Sequence, residues 1–142
     1  MNKYDGLRLE NQICFPLYAL SREVIKLYKP ILDEYGLTYT QYVTLMALWE
    51  HEQIQFKDLA KLLHLDSGTL TPVLKKLEAM GFVLKYRNKE DDRNVTVELT
   101  EQGSLLKEKM LKVPEQVYCK LKGKDETLIQ LKKSLDELLA DF

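Results

Sequence analysis

Two side chains in this 142-residue sequence stand out as soft nucleophiles, Cys14 and Cys119. A thiolate attacks peroxides and disulfides, so a cysteine that is accessible and favoured as the anion is a redox centre, whereas a buried one is a small hydrophobe. Composition does not choose between these. Pro16, two residues after Cys14, suits the first turn of a helix, and the dipole at a helix N-terminus favours an anion. No other catalytic apparatus is visible. The only histidines are His51 and His64, the six glycines are scattered, and no spacing of His, Cys, Asp or Glu matches a metal centre. Neither a cofactor nor a metal is expected, and an enzyme such as a thiol peroxidase would have the cysteine alone to work with.

The elements that must position these thiols are helical. Hydrophobic residues make up 45% and charged residues 30% of the chain, with 6 Gly and 4 Pro, a composition that excludes disorder and predicts a soluble, cytoplasmic domain without a membrane span. The net charge of −1 hides a regional bias: residues 55–95 carry eight Lys or Arg against six acidic residues, while 1–54 carry five against seven. Alone, that bias is weak evidence for a polyanionic partner.

Apolar residues Ile13, Leu17, Leu20, Val24, Leu27 and Ile31 step by 4 and 3, predicting an amphipathic helix to about Tyr35 that Pro30 bends or ends and Gly36 closes. Thr38 or Thr40 caps a second helix, apolar nearly all round, that runs to about Glu50. A short extended link leads to a third helix, Phe56 to Leu63, and the turn His64-Leu65-Asp66 leads to a fourth, Ser67 to Met80, closed by Gly81. Two β-prone runs, 82–87 and 95–99, form a hairpin with a charged tip. Thr100 caps a long helix, Glu101 to about Leu121, interrupted at Pro114, and Asp125 caps the last, striped by Leu128, Leu131, Leu135, Leu138 and Phe142.

This order predicts a mainly α fold with a small β-hairpin wing, a winged helix-turn-helix. In the fourth helix Leu70, Val73, Leu74 and Leu77 share one face. Ser67, Thr69, Thr71, Pro72, Lys75 and Lys76 lie largely on the other, where short hydroxyls suit close approach to a major groove and the lysines suit phosphates. Arg87 and Arg93 flank the wing, and Asp91 is placed to hold Arg93 for a minor groove. The bland alternative is that these are ordinary surface residues and a turn. The first and last helices carry stripes that a small reading head cannot bury, which predicts an obligate dimer through the N- and C-terminal helices and an inverted-repeat operator in double-stranded DNA. Three segments follow: 1–36 for dimerisation, 37–99 for DNA binding, 100–142 for dimerisation.

The run Leu65-Asp66-Ser67-Gly68-Thr69-Leu70-Thr71-Pro72-Val73-Leu74-Lys75-Lys76-Leu77-Glu78 resembles the recognition helix of the MarR family of bacterial regulators, and Asp91-Asp92-Arg93 with Leu99-Thr100 resembles its wing. More narrowly, Cys14-Phe15, Tyr28 with Pro30, and Gly36-Leu37-Thr38-Tyr39-Thr40-Gln41-Tyr42 resemble the organic hydroperoxide resistance regulators (OhrR) of the two-cysteine type. That resemblance implies that Cys14 is the peroxide-sensing thiol and that Tyr28 and Tyr39 hydrogen-bond to it from the partner subunit. It also implies that Cys119 resolves the sulfenate, so that an organic hydroperoxide is the signal. Pro16 departs from the resemblance by starting the first helix late, which would leave Cys14 just before its first turn. A rival keeps the fold but releases DNA on binding a phenolic or other small ligand, with Tyr18, Tyr28, Tyr39, Tyr42 and Trp49 around the pocket. A purely structural helical dimer is disfavoured by the wing.

Overall fold

The computed structural model describes residues 2–91 and 93–142; the Asp92 of the wing motif lies outside the described residues. Two short 3-10 turns, Asp5–Leu7 and Leu9–Asn11, precede helix α1, Cys14–Asp33. Cys14 is thus the first residue of the helix, so Pro16 falls in the first turn, where its missing N–H costs nothing, and does not delay the start. Helix α1 continues through Pro30 for three residues, and Gly36, at φ 69°, terminates this region. The apolar stripe enters the core only at its far end: Ile31 and Leu32 are buried, Val24 and Leu27 half-buried, and Ile13 is 71% exposed.

Helix α2, Tyr39–His51, starts on a capping box in which the Thr38 hydroxyl accepts from Gln41 N and the Gln41 side chain accepts from Thr38 N. It is the centre of the fold, burying Tyr42, Thr44, Leu45, Ala47 and Leu48. The link after it is a strand, β1, Gln53–Gln55, followed by α3, Phe56–Leu63, and α4, Ser67–Ala79. The wing strands are β2, Val83–Arg87, and β3, Val95–Leu99. All pairings are antiparallel in the order β1-β3-β2, with Ile54 opposite Val97 and Lys85 opposite Val97 on the other side. The expected two-stranded hairpin is therefore a three-stranded sheet. Its third strand is a three-residue polar-apolar-polar run, too short to show a period, whose pairing is non-local.

The expected long helix is two, α5, Glu101–Lys109, and α6, Val113–Lys120. The break falls at Met110–Lys112, ahead of Pro114, because a proline cannot donate to the carbonyl four residues earlier and its ring crowds that carbonyl, here Met110. Val113 N donates to the Met110 carbonyl instead, at 3.1 Å. The last helix, α7, Asp125–Leu139, has Lys124 at its N-cap rather than Asp125. The Asp125 carboxylate accepts from Tyr118 Oη across the α6–α7 break at 2.5 Å. No residue of α7 is buried, and Phe142 is 94% exposed.

One seam joins these parts. Thr100 caps α5 by accepting from Gly103 N at 3.0 Å, while its hydroxyl donates to the Gly81 carbonyl at 2.6 Å and its backbone N–H to the Phe82 carbonyl at 3.0 Å. The end of α4, the start of the wing and the start of α5 are thereby tied to one residue. Gly103 is buried, and a Cβ there would meet the Phe82 carbonyl at 2.4 Å and Leu99 Cδ1 at 2.6 Å. Only glycine allows that approach. Gly103→Ala should destabilise the protein by about 1–3 kcal/mol, read as a lower midpoint in urea unfolding at fixed protein concentration; an unchanged midpoint would refute the close approach.

Candidate nucleic-acid interface and thiol site

Helix α4 forms at this place because Asp66 caps it: the carboxylate accepts from Thr69 N at 2.7 Å. The preceding turn holds His64 in the left-handed region, φ 54° and ψ 40°, with Leu65 N donating to the Ala60 carbonyl at 2.9 Å. The 3.6-residue period then sorts the faces. Leu70, Leu74 and Leu77 are buried, while Ser67, Thr69, Thr71, Pro72, Lys75 and Lys76 are all exposed, so the structure brings these six predicted residues to one free surface. Pro72 sits inside the helix, where it removes the hydrogen bond to the Gly68 carbonyl on that same exposed side. Glu78 accepts from Lys85 N at 3.2 Å and fixes the end of α4 to β2.

At the wing tip Asp91 Oδ1 accepts from Arg93 N at 3.1 Å and from Arg93 Nε at 3.2 Å, leaving the Arg93 side chain 91% exposed. Asn94 N donates to the Asp91 carbonyl at 3.0 Å and Asn88 N to the Asn94 carbonyl at 2.8 Å, closing the loop. A guanidinium held this way projects from the protein on a rigid base. Arg87 ends β2 opposite Val95 and is exposed. Short hydroxyls and lysines on a free helix, beside a projecting arginine, make a surface suited to a groove flanked by phosphates.

The thiols lie elsewhere. Cys14 and Cys119 are free and exposed. Cys14 begins α1, whereas Cys119 lies in α6, lining a surface hollow with Ile31 near the other end of α1. At about 1.5 Å of rise per residue, the 17 residues from Cys14 to Ile31 span about 25 Å. One chain cannot bring its own two sulfurs together while α1 stays a helix.

Tyr28 is 14 residues beyond Cys14 on the same helix, about 21 Å away. It packs edge-on against Tyr39, ring centroids 4.9 Å apart, and both line a hollow of about 230 Å³ with Ile25, Leu32 and Leu37. The structure therefore unites Tyr28 with Tyr39 and separates both from the Cys14 of the same chain. Burial, then the charge of Tyr39, holds the Tyr28 hydroxyl above its ordinary range, burial alone raises Tyr39, and Tyr42 behind them is pushed up to about 12, chiefly by burial. All three remain phenols, hence donors, near neutral pH. Among the described residues no side chain or carbonyl of the chain satisfies the Tyr28 or Tyr39 hydroxyl, nor is either oxygen sealed from solvent. They can donate to an anion supplied from outside the chain.

Sequence reasoning placed Asp66 in a turn and missed it as a cap, although an aspartate directly before an apolar helical stripe is the usual signal. It also took Tyr42 and Trp49 only as pocket or core. Among the described residues no group of His, Cys, Asp and Glu could hold a metal ion, and no helix is long and apolar enough to cross a membrane.

Residues 26–110 match the family model of the transcriptional regulators SarA/Rot. The organic hydroperoxide resistance transcriptional regulator of Bacillus subtilis is 50% identical over 138 residues, 97% of this chain and 94% of that protein. Among solved structures, reduced AbfR bound to DNA superposes with a TM-score of 0.75 at 34% identity, covering 96% of this chain and 97% of that one. Disulfide-formed AbfR superposes with 0.66 at the same identity and 96% of each chain; AbfR is a Staphylococcus epidermidis protein. This class consists of winged-helix transcription regulators, not enzymes. The chain belongs to the SarA/Rot family of MarR-like regulators and stands within it beside the organic hydroperoxide resistance regulators.

The Asp66 cap yields a test of the α4 start. Hydrogen bonding from Thr69, its side chain first and then its backbone N–H, holds the Asp66 carboxyl below its ordinary 3.8. A carboxyl depressed in the folded state contributes stability above its unfolded value and loses it as pH falls through the folded one. Asn caps as well as Asp and does not titrate. Asp66→Asn should therefore show a shallower loss of stability than wild type when urea midpoints are followed from about pH 6 to about pH 3; parallel curves would remove the carboxylate from the cap.

Proposed function

We propose that this protein is a homodimeric, DNA-binding transcription repressor that senses an organic hydroperoxide through Cys14 and releases its operator on oxidation. The observation that carries the reading is the separation along α1: Cys14 stands exposed at one end, and two phenols whose hydroxyls have no hydrogen-bond partner among the described residues line a hollow about 21 Å away. A two-fold dimer in which the N-terminal end of each α1 meets the far end of the other gives each thiol its tyrosines. Residues 1–36 and 100–142 supply the dimer contacts, and their exposed Ile13, Leu17, Leu20, Leu138 and Phe142 are the surface that association would cover. Residues 37–99 form the reading head, with α4 in the major groove of an inverted repeat and Arg93 in the minor groove beyond.

The chemistry balances as follows. The Cys14 thiolate attacks the terminal peroxide oxygen of ROOH, the O–O bond breaks, and the alkoxide leaves and takes up a proton to become ROH, so sulfur becomes sulfenic acid. Tyr28 and Tyr39 of the other subunit donate hydrogen bonds to the thiolate and to the oxidised sulfur. The Cys119 thiolate then attacks the sulfenic sulfur, expels water after protonation, and leaves an intersubunit disulfide. Such a bond requires Cα atoms within about 7 Å, so the helices carrying the two sulfurs move toward each other and turn the reading heads. The comparison supports this reading: AbfR is known in reduced and disulfide forms, and the B. subtilis relative is named for organic hydroperoxide resistance.

Cys14→Ser should bind operator as wild type does and keep it after organic hydroperoxide treatment, measured by fluorescence anisotropy with intact mass on the same samples. Release by that variant sinks the sensor assignment. If alkylated wild type instead keeps its response to a small-molecule inducer, the ligand-released reading takes its place. Oxidised wild type should run as a covalent dimer on a non-reducing gel and Cys119→Ser as a monomer; a dimer in both removes the resolving role. On the DNA side, Lys75→Ala should weaken binding across sequences alike and lower the slope of log affinity against log salt by about 1. Arg93→Ala should cost about 1–3 kcal/mol and change sequence preference at the outer positions of each half-site; a purely uniform loss would make Arg93 a phosphate contact.

A further inference from the structure

An unbroken line of contacts leads from the tyrosine hollow to the seam that holds the reading head. Tyr28 and Tyr39 both pack on Tyr42, at ring-centroid distances of 5.6 and 6.4 Å, and Tyr42 packs edge-on against Trp49 at 6.4 Å. Trp49 then leaves the aromatic series with a directional contact: its Nε1–H donates to the Gly103 carbonyl at 2.9 Å. Lys107 Nζ in turn donates to the Trp49 carbonyl at 3.4 Å, so α2 and α5 are joined by two hydrogen bonds through one residue. Gly103 is the residue jammed against the Phe82 carbonyl, and Thr100, the cap that accepts from Gly103 N, donates to the Gly81 carbonyl where α4 ends and the wing begins.

We propose that Trp49 is a positioning residue for the switch: its indole N–H converts a shift of the Tyr28–Tyr39–Tyr42 cluster into a displacement of α5, and hence of α4 and the wing. This rests on the reading that oxidation at Cys14 is sensed beside Tyr28 and Tyr39. The physical grounds are the rigidity of each link. Closely packed rings cannot shift independently of one another, a hydrogen bond fixes direction as well as distance, and a glycine with no room for a methyl group transmits displacement without slack. Contiguity is necessary for coupling but does not measure it, so the test reads the coupling itself.

Trp49 is the only tryptophan in the sequence, which allows an atomic substitution. Protein made in a tryptophan auxotroph with β-(3-benzothienyl)alanine keeps the ring shape and stacking but carries sulfur where the N–H was; Trp49→Phe is the companion variant. For each, operator affinity is measured before and after organic hydroperoxide, with intact mass to establish that the thiols have reacted. The expected result is full oxidation, reduced-state affinity near wild type, and a ratio of reduced to oxidised affinity smaller than wild type by about fivefold or more. A role confined to folding would lower the unfolding midpoint and shift both affinities together, leaving that ratio intact. A wild-type ratio in the fully oxidised benzothienyl protein overturns the proposal, even where Trp49→Phe fails to fold. Wild type that oxidises without releasing DNA would instead overturn the sensing reading itself.

Discussion

The rigidity of one helix constrains everything else in this molecule. Because α1 is continuous for 20 residues, the thiol at its first residue cannot meet Tyr28 near its far end, or Tyr39 of α2 packed against Tyr28, within a subunit. A flexible N-terminal segment would let Cys14 fold back onto Tyr28, and the site would then be independent of association. A rod instead makes chemistry and oligomerisation one problem on the proposed reading: the arrangement that covers the exposed face of α1 is also the one that gives the thiol its donors. The burial gradient along the stripe fits this division. Ile31 and Leu32 fasten the helix to its own core, while Ile13, Leu17 and Leu20 stay exposed.

The reading head obeys a second constraint that is local and steric. Gly103, Thr100 and Gly81 bring three elements within hydrogen-bonding distance of one another, so α4 and the wing cannot reorient separately from the start of α5. With Asp66 starting α4 and Gly81 at φ 86° ending it, the helix that presents Ser67, Thr69, Thr71, Lys75 and Lys76 has fixed limits at both ends. On the proposed reading, a surface that matches the spacing of two grooves needs such limits, since a head that rotates freely loses the simultaneous fit on which dimer affinity depends.

Where local periodicity and capping chemistry decide the structure, the residues announce it. The turn at His64–Asp66, the leucine face of α4, the termination at Gly81, Thr100 as a cap and the Asp91–Arg93 clamp are all local, and all were legible. Illegible parts depend on distant partners. Strand β1 has three residues and forms only because β3 arrives beside it, with Ile54 paired to the distant Val97. The break before Pro114 was assigned to the proline itself, whereas the carbonyl it offends is Met110; Asp125 was read as a cap, but Tyr118 takes its carboxylate. The thiol site is the extreme case. Nothing in the spacing of Cys14, Tyr28 and Tyr39 suggests a joint site, because the intervening helix forbids one within the chain; the proposed pairing entered through resemblance alone.

The two forms of AbfR bear on the energetics of such a switch. At the same 34% identity, the DNA-bound forms of AbfR, reduced and overoxidised alike, superpose on this chain with a TM-score of 0.75 and the disulfide form with 0.66, so this chain lies nearer the DNA-bound arrangement. On the proposed reading, disulfide formation has to carry the chain out of this DNA-competent arrangement. Moving a two-state equilibrium from about 1:99 to about 99:1 takes about 5.5 kcal/mol, more than the rearrangement of a few exposed hydrogen bonds supplies. A covalent bond between subunits meets that requirement because its formation is driven by peroxide reduction rather than by contacts. On the proposed reading, α7 and the start of α1 bury so little in their own subunit because their apolar faces are the ones that a second subunit covers.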